Sequence, residues 1–139
     1  MPPTFDLIIK GGTVATPGGL GVADIAVSHG RVAAIGSFEA GQAGAVFEAA
    51  GLHVLPGVID SQVHFREPGL EWKEDLETGS RSAALGGVTA VFEMPNTAPL
   101  TTCAATLAAK VGAARHRMLC AFAFFVGGTR ENIDHIPEL

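Results

Sequence analysis

The chain has 139 residues and a formal net charge of −5, which is enough for one modest domain. Hydrophobic residues make up 47% and charged residues 17%, a balance that excludes a disordered chain and predicts a packed core. The mild acidity without a basic cluster argues against a nucleic-acid partner, and no apolar stretch approaches the roughly 18 residues of a membrane span.

The N-terminal segment MPPTFDLIIKGG lacks the basic start and long apolar centre of a signal peptide. It offers instead a strand at Phe5–Lys10, a Gly-Gly turn and a short strand at Thr13–Thr16. The segment DIAVSHGRVAAIG reads as a hairpin turning at SHGR. The glycine-rich GSFEAGQAGA reads as a loop, and AVFEAAGLHVLPG adds short strand pieces. Residues 1–54 are therefore expected to form part of a small β-sandwich, with too few strands to close both layers.

From Leu55 the pattern changes. LPGVID is a short continuous apolar run, as expected of a strand covered on both faces. A polar loop, SQVHFREPGLEW, follows it. KEDLETGSRSAALGG then has helical character, with KEDLE as a solvated first turn and Gly86-Gly87 as a stop. VTAVFEMPN is a second strand. TTCAATLAAKVGAARH is a second helix, with Thr101 or Thr102 as cap and Ala104, Leu107, Ala108 and Val111 as its apolar stripe. MLCAFAFFVGG is a third strand and TRENIDH the start of a third helix. Such alternation predicts an α/β fold with adjacent parallel strands at 57–62, 88–94 and 118–126 and helices near 73–85 and 102–115. It suits residues 55–139 as the first three units of a (β/α)8 TIM barrel, which needs about 250 residues, so the chain is expected to be a fragment of a longer protein. Cys103 and Cys120 stand in no CxxC pattern and are expected as free, buried thiols of a cytoplasmic protein.

In such a barrel the chemistry sits at the C-terminal strand ends. After the first strand, Asp60, Gln62 and His64 fall on one side if the strand runs on to His64. Two histidines spaced H-x-H would grip one zinc ion, but here one position is Gln62, and a neutral carboxamide is a poor zinc ligand. A lone His64 fits a hydrogen-bonded mouth residue as well as a ligand. Arg66 could hold a carboxylate through two parallel hydrogen bonds, or pair with Glu67 or Glu71. Asn96, in a loop after the second strand, could orient a substrate or close its own turn. The glycine-rich GGTREN lacks a phosphate-loop pattern and reads as a connection. His29 and His53 read as structural, and His116 and His135 as helix-end surface residues.

The run LPGVIDSQVHFREPGLEWKEDLETGSRSAALGGVTAVFEMPNTAPLTT closely resembles the N-terminal third of dihydroorotases of the amidohydrolase superfamily. Their pattern is D-x-H-V-H-x-R-E-P-G, then K-E-D-x-x-T-G-S-x-A-A, then a strand ending M-P-N-T. FREPG, with its arginine, is the feature expected to set the chain apart from hydantoinases and allantoinases. The resemblance implies a β-sandwich joined to a metal-bearing barrel, with zinc or another divalent metal as cofactor. It implies reversible conversion of N-carbamoyl-L-aspartate to L-dihydroorotate in pyrimidine biosynthesis. It assigns His64 to the second histidine of the metal pair, Arg66 and Asn96 to the substrate carboxylate, and Asp60 to a supporting place behind the metal. Gln62 departs from the pattern at the first metal histidine, and the remaining ligands of the family fall outside this chain. Catalytic groups are therefore not expected in this segment, and the 139-residue chain by itself is expected to be inactive. The loss at Gln62 also suits a second reading, a non-catalytic dihydroorotase-like subunit that partners aspartate transcarbamoylase. A third is a related hydrolase of the allantoinase or hydantoinase type. A small carboxylate-bearing cyclic amide is the expected partner of the first reading, with homo-oligomers when the protein is complete.

Overall fold

The computed structural model describes residues 4–138. The chain divides into two compact units, one ending at Pro56 and one beginning at Gly57.

The first unit is a five-stranded sheet built from β1 (Phe5–Thr16), β2 (Gly19–Ser28), β3 (Arg31–Gly36), β4 (Ala43–Glu48) and β5 (His53–Val54). Its order is β3-β2-β1-β4, and β5 also pairs with β1. The hairpin read from SHGR is present, with Ser28 opposite Arg31. The expected Gly-Gly turn is not. β1 runs unbroken through it, and the register with β2 slips between Ile9 and Gly12. Gly11, at φ 71°, takes the left-handed conformation of a bulge residue, so the glycines bend one strand instead of separating two. GSFEAGQAGA is also more ordered than expected, holding a 3-10 turn at Ala40–Gln42 and the start of β4. The core is Ile8, Val14, Ile25, Ala26 and Ala49. Asp24, buried among them, accepts from the N–H groups of Gly11 (2.7 Å) and Phe38 (2.9 Å) and pairs with Lys10.

The second unit is a parallel sheet in the order β6 (Val58–Val63), β7 (Val88–Glu93) and β8 (Ala121–Phe124), connected through α1 (Leu76–Leu85) and α2 (Ala104–Ala114). Its fold class is the α/β one that strand–helix alternation predicts. Phe65, Leu76, Val91 and Ala114 form the core, joined by Val63, Met118, Phe122 and Phe124. The apolar run LPGVID is not covered on both faces. Val58 and Ile59, successive residues on opposite faces of the strand, are 53% and 62% exposed.

Local chemistry moves the helix starts inward. Asp75, not Lys73, begins α1, its carboxylate accepting from Thr78 N–H at 2.8 Å. Cys103, not Thr101 or Thr102, is the N-cap of α2. Thr101 is instead buried in the preceding loop, its N–H donating to Pro95 O. Cys103 is free but exposed, against the expectation of a buried thiol, because a cap lies at the open end of its helix. In α2 the inward positions are Lys110 and Ala114, while Ala104 and Ala108 face solvent. The third helix is short 3-10 structure over Ile133–Glu138.

Among the described residues no helix is long and apolar enough to cross a membrane.

Candidate functional site

The site is built where β6 and β7 end. Along their ladder Asp60 pairs with Val91 and Val63 with Glu93, so three steps of β6 match two of β7. The extra residue is a bulge, and it breaks the simple alternation that would have put Asp60, Gln62 and His64 on one side. Beyond it, Val63 and Phe65 turn into the core. Gln62, exposed, and His64, half-buried, take the alternate places on the other face. The Asp60 carboxylate folds back to accept the N–H of Gln62 at 2.9 Å. Its observed role is to shape the bulge.

The loop after β6 and the loop after β7 are fastened to each other. Met94 N–H donates to Val63 O (2.9 Å) and Ala98 N–H to Pro68 O (2.9 Å). Gly69 lies against Ala98 so closely that a Cβ on it would overlap the Ala98 carbonyl. Across this seam His64 Nδ1 stands 2.8 Å from Asn96 Oδ1. With the carbonyl oxygen of Asn96 as acceptor, Nδ1–H is the donor of this bond. The Asn96 amide NH2 remains available to donate. Asn96 thus does more than close its own turn.

Arg66 pairs with neither of the carboxylates its sequence neighbourhood offered. Glu67 turns away and takes Arg117 through two bonds of 2.6 and 3.0 Å. It also accepts from Leu76 N–H at the start of α1 (3.0 Å). Arg117 is the main reason the Glu67 carboxyl is held below the usual carboxylate range. Glu71 accepts from Gly69 N–H (2.8 Å). Among the described residues no ion pair engages Arg66. Its backbone sits at φ 67°, a conformation sparsely populated by non-glycine residues and shared in this chain with His29 and His116.

Three groups carry no individual role in the sequence reading, although Glu93 and Asn132 stand in strand-end segments, EMPNT and GGTREN, that qualify as candidate places. Glu93 and Lys110 are both buried and form an ion pair beneath the seam. Burial pushes the Glu93 carboxyl up, while Lys110, the Phe65 N–H and His64 favour its charged form. The sequence signal was one acid closing the apolar strand VTAVFE and one lysine inside the apolar helix AATLAAKVGAA. Asn132 was read as part of a connection. Its amide donates to Thr102 O (2.6 Å) and Gly127 O (2.8 Å) and accepts from Thr129 N–H (2.7 Å), clipping the third loop onto the second.

The donor set was tested against a zinc ion. His64 offers one imidazole nitrogen, Gln62 a neutral amide oxygen, and Asp60 a carboxylate turned to its own strand. Among the described residues no three His, Cys, Asp or Glu side chains converge as a metal cage. A zinc centre needs about three good protein ligands, so these residues alone do not fit one. A hollow on the first unit, lined by Val14, Leu20, Val22 and Ile35, carries no titratable side chain and is no rival site.

A family model described as dihydro-orotase-like matches residues 51–137. An allantoinase of Escherichia coli is 44% identical over 137 residues, covering 98% of this chain and 30% of the relative. An allantoinase of Desulfitobacterium hafniense is 42% identical over 97% of this chain and 30% of its own length. Among solved structures, the L-hydantoinase (dihydropyrimidinase) of Arthrobacter aurescens superposes with a TM-score of 0.87 at 36% identity, covering 96% of this chain and 30% of that one. The chain therefore spans about a third of the length of these relatives. The named relatives are allantoinases and a hydantoinase, so overall similarity does not single out dihydroorotases in the way expected of FREPG.

Proposed function

The chain belongs to the dihydro-orotase-like family of amidohydrolase-superfamily cyclic-amide hydrolases, and from that premise we propose that the whole protein opens the ring of a cyclic amide of the allantoin or hydantoin kind. The observation that carries the reading is the seam between the first two loops. It presents an imidazole held by the Asn96 carbonyl, the Asn96 amide NH2 and an arginine that, among the described residues, has no ion-pair partner. Arg66 suits the carbonyl or carboxylate oxygens of a planar ring substrate, held through parallel N–H donors. The Asn96 NH2 supplies a further donor, and the Asn96 carbonyl keeps His64 oriented. These groups bind and orient. The choice of allantoin or hydantoin over dihydroorotate rests on the named relatives.

A second reading, dihydroorotate as substrate, is favoured by Arg66 itself, because a substrate carboxylate is the stronger partner for a guanidinium. The experiment is a panel. The whole protein is incubated separately with allantoin, a substituted hydantoin, dihydrouracil and dihydroorotate, and ring opening is followed by release of the carbamoyl product. Faster turnover of allantoin or a hydantoin is expected. Preference for dihydroorotate selects the second reading. No turnover by folded protein ends both and leaves the non-catalytic subunit, which pull-down with aspartate transcarbamoylase then tests.

A further inference from the structure

The ends of β6, β7 and β8 converge on the buried pair Glu93–Lys110. Glu93 is 0% exposed and Lys110 2%. The ladders set Glu93 opposite Val63 on one side and Phe124 on the other. Lys110 reaches it from α2, donates to Met94 O at 3.1 Å and stands 5.3 Å from the Phe124 ring centroid. Phe125 N–H donates to Glu93 O at 2.9 Å. Asn96 lies two residues after Met94. The pair therefore holds the end of β7 and the start of the loop that carries Asn96 to the seam.

Stability alone is a poor reason for such a pair. Removing two charges from water costs more than their attraction commonly returns, and an apolar pair of similar volume is often as stable or more so. Neither Glu93 oxygen has a hydrogen bond of good geometry to offset that cost. What an ion pair provides that an apolar pair does not is a fixed direction between two elements.

Resting on the reading of the seam as part of a hydrolytic site, we propose that Glu93 and Lys110 are positioning residues: they lock the end of β7 against α2 and so place the loop after β7, where Asn96 Oδ1 meets His64 Nδ1. The pair touches no substrate. It acts through the backbone at Met94.

The test is the double variant Glu93→Leu/Lys110→Met in the whole protein, read by crystal structure, melting temperature and steady-state kinetics. A separation of His64 Nδ1 from Asn96 Oδ1 beyond about 3.5 Å, outside hydrogen-bond reach, is expected. The melting temperature should hold, and kcat should fall at least about tenfold with little change in KM, the signature of misplaced groups. An unchanged separation overturns the proposal whatever the rate. A lengthened separation with unchanged kcat upholds the positioning role and counts instead against the hydrolytic reading of the seam. Should the double variant fail to fold, Glu93→Gln replaces it. This near-isosteric change removes the Glu93 charge and keeps a polar group beside the buried Lys110, and the same separation, measured on the folded protein, decides the outcome.

Discussion

His64 and Asn96, thirty-two positions apart in the chain, meet through one hydrogen bond of 2.8 Å between Nδ1 and Oδ1. That contact orients the imidazole through Nδ1 and engages the Asn96 carbonyl, not its NH2. Asn96→Ala in the whole protein should lower activity about 10- to 100-fold, the usual cost of losing the partner that orients a site histidine. Asn96→Asp retains an acceptor for Nδ1–H and loses the donor, so KM should rise more than kcat falls. Equal effects of the two variants on kcat and KM would refute this division of labour.

Gln62 shares the face of His64 and offers only a neutral oxygen. Gln62→His should raise the zinc content of the purified whole protein, measured by atomic emission after dialysis against a weak chelator, because imidazole is the better zinc donor. A full complement of zinc in the unmodified protein, coordinated by Gln62 or His64, would contradict the account.

The 139-residue chain by itself should open no cyclic amide even with zinc added. It supplies one imidazole and no metal cage among its described residues. Ring opening above background by the purified chain would refute this.

Gly69 combines φ 92° with contact against the Ala98 carbonyl. Gly69→Ala adds both backbone strain and overlap, and should destabilise by at least about 1 kcal/mol. Chemical denaturation checks the stability. Amide exchange at Ala98, which donates to Pro68 O, should quicken if the seam opens.

Glu67 has its carboxyl held low in the folded chain, chiefly by Arg117. A folded-state value below the unfolded one gives stability that is fully present above the unfolded value, about 4.3, and is lost as pH falls through the folded value. Glu67→Gln should therefore cost about 1–2 kcal/mol at neutral pH, a figure reduced for the partial exposure of Arg117. The cost should vanish in acid. A variant whose deficit is the same at pH 7 and pH 3 would contradict the pairing.

The order of elements was legible in the sequence because hydrophobic period and glycine punctuation are local. The strands at Val58–Val63, Val88–Glu93 and Ala121–Phe124, their parallel order and the helices between them follow from that alternation. So does the membership of His64, Arg66 and Asn96 in strand-end loops. The tertiary structure decided what each polar group faces. Gly11-Gly12 reads equally as turn or bulge until β2 pairs across it. The slip in β6 depends on β7, and it falls between Asp60 and Val63. Lys110 looks like a solvated helix residue until Glu93 is placed beneath it. Glu67 is next to Arg66 in sequence and bonds Arg117 instead, fifty positions away. Charge pairing and ladder register are set by distance in space, and a local pattern carries no information about which distant backbone will arrive.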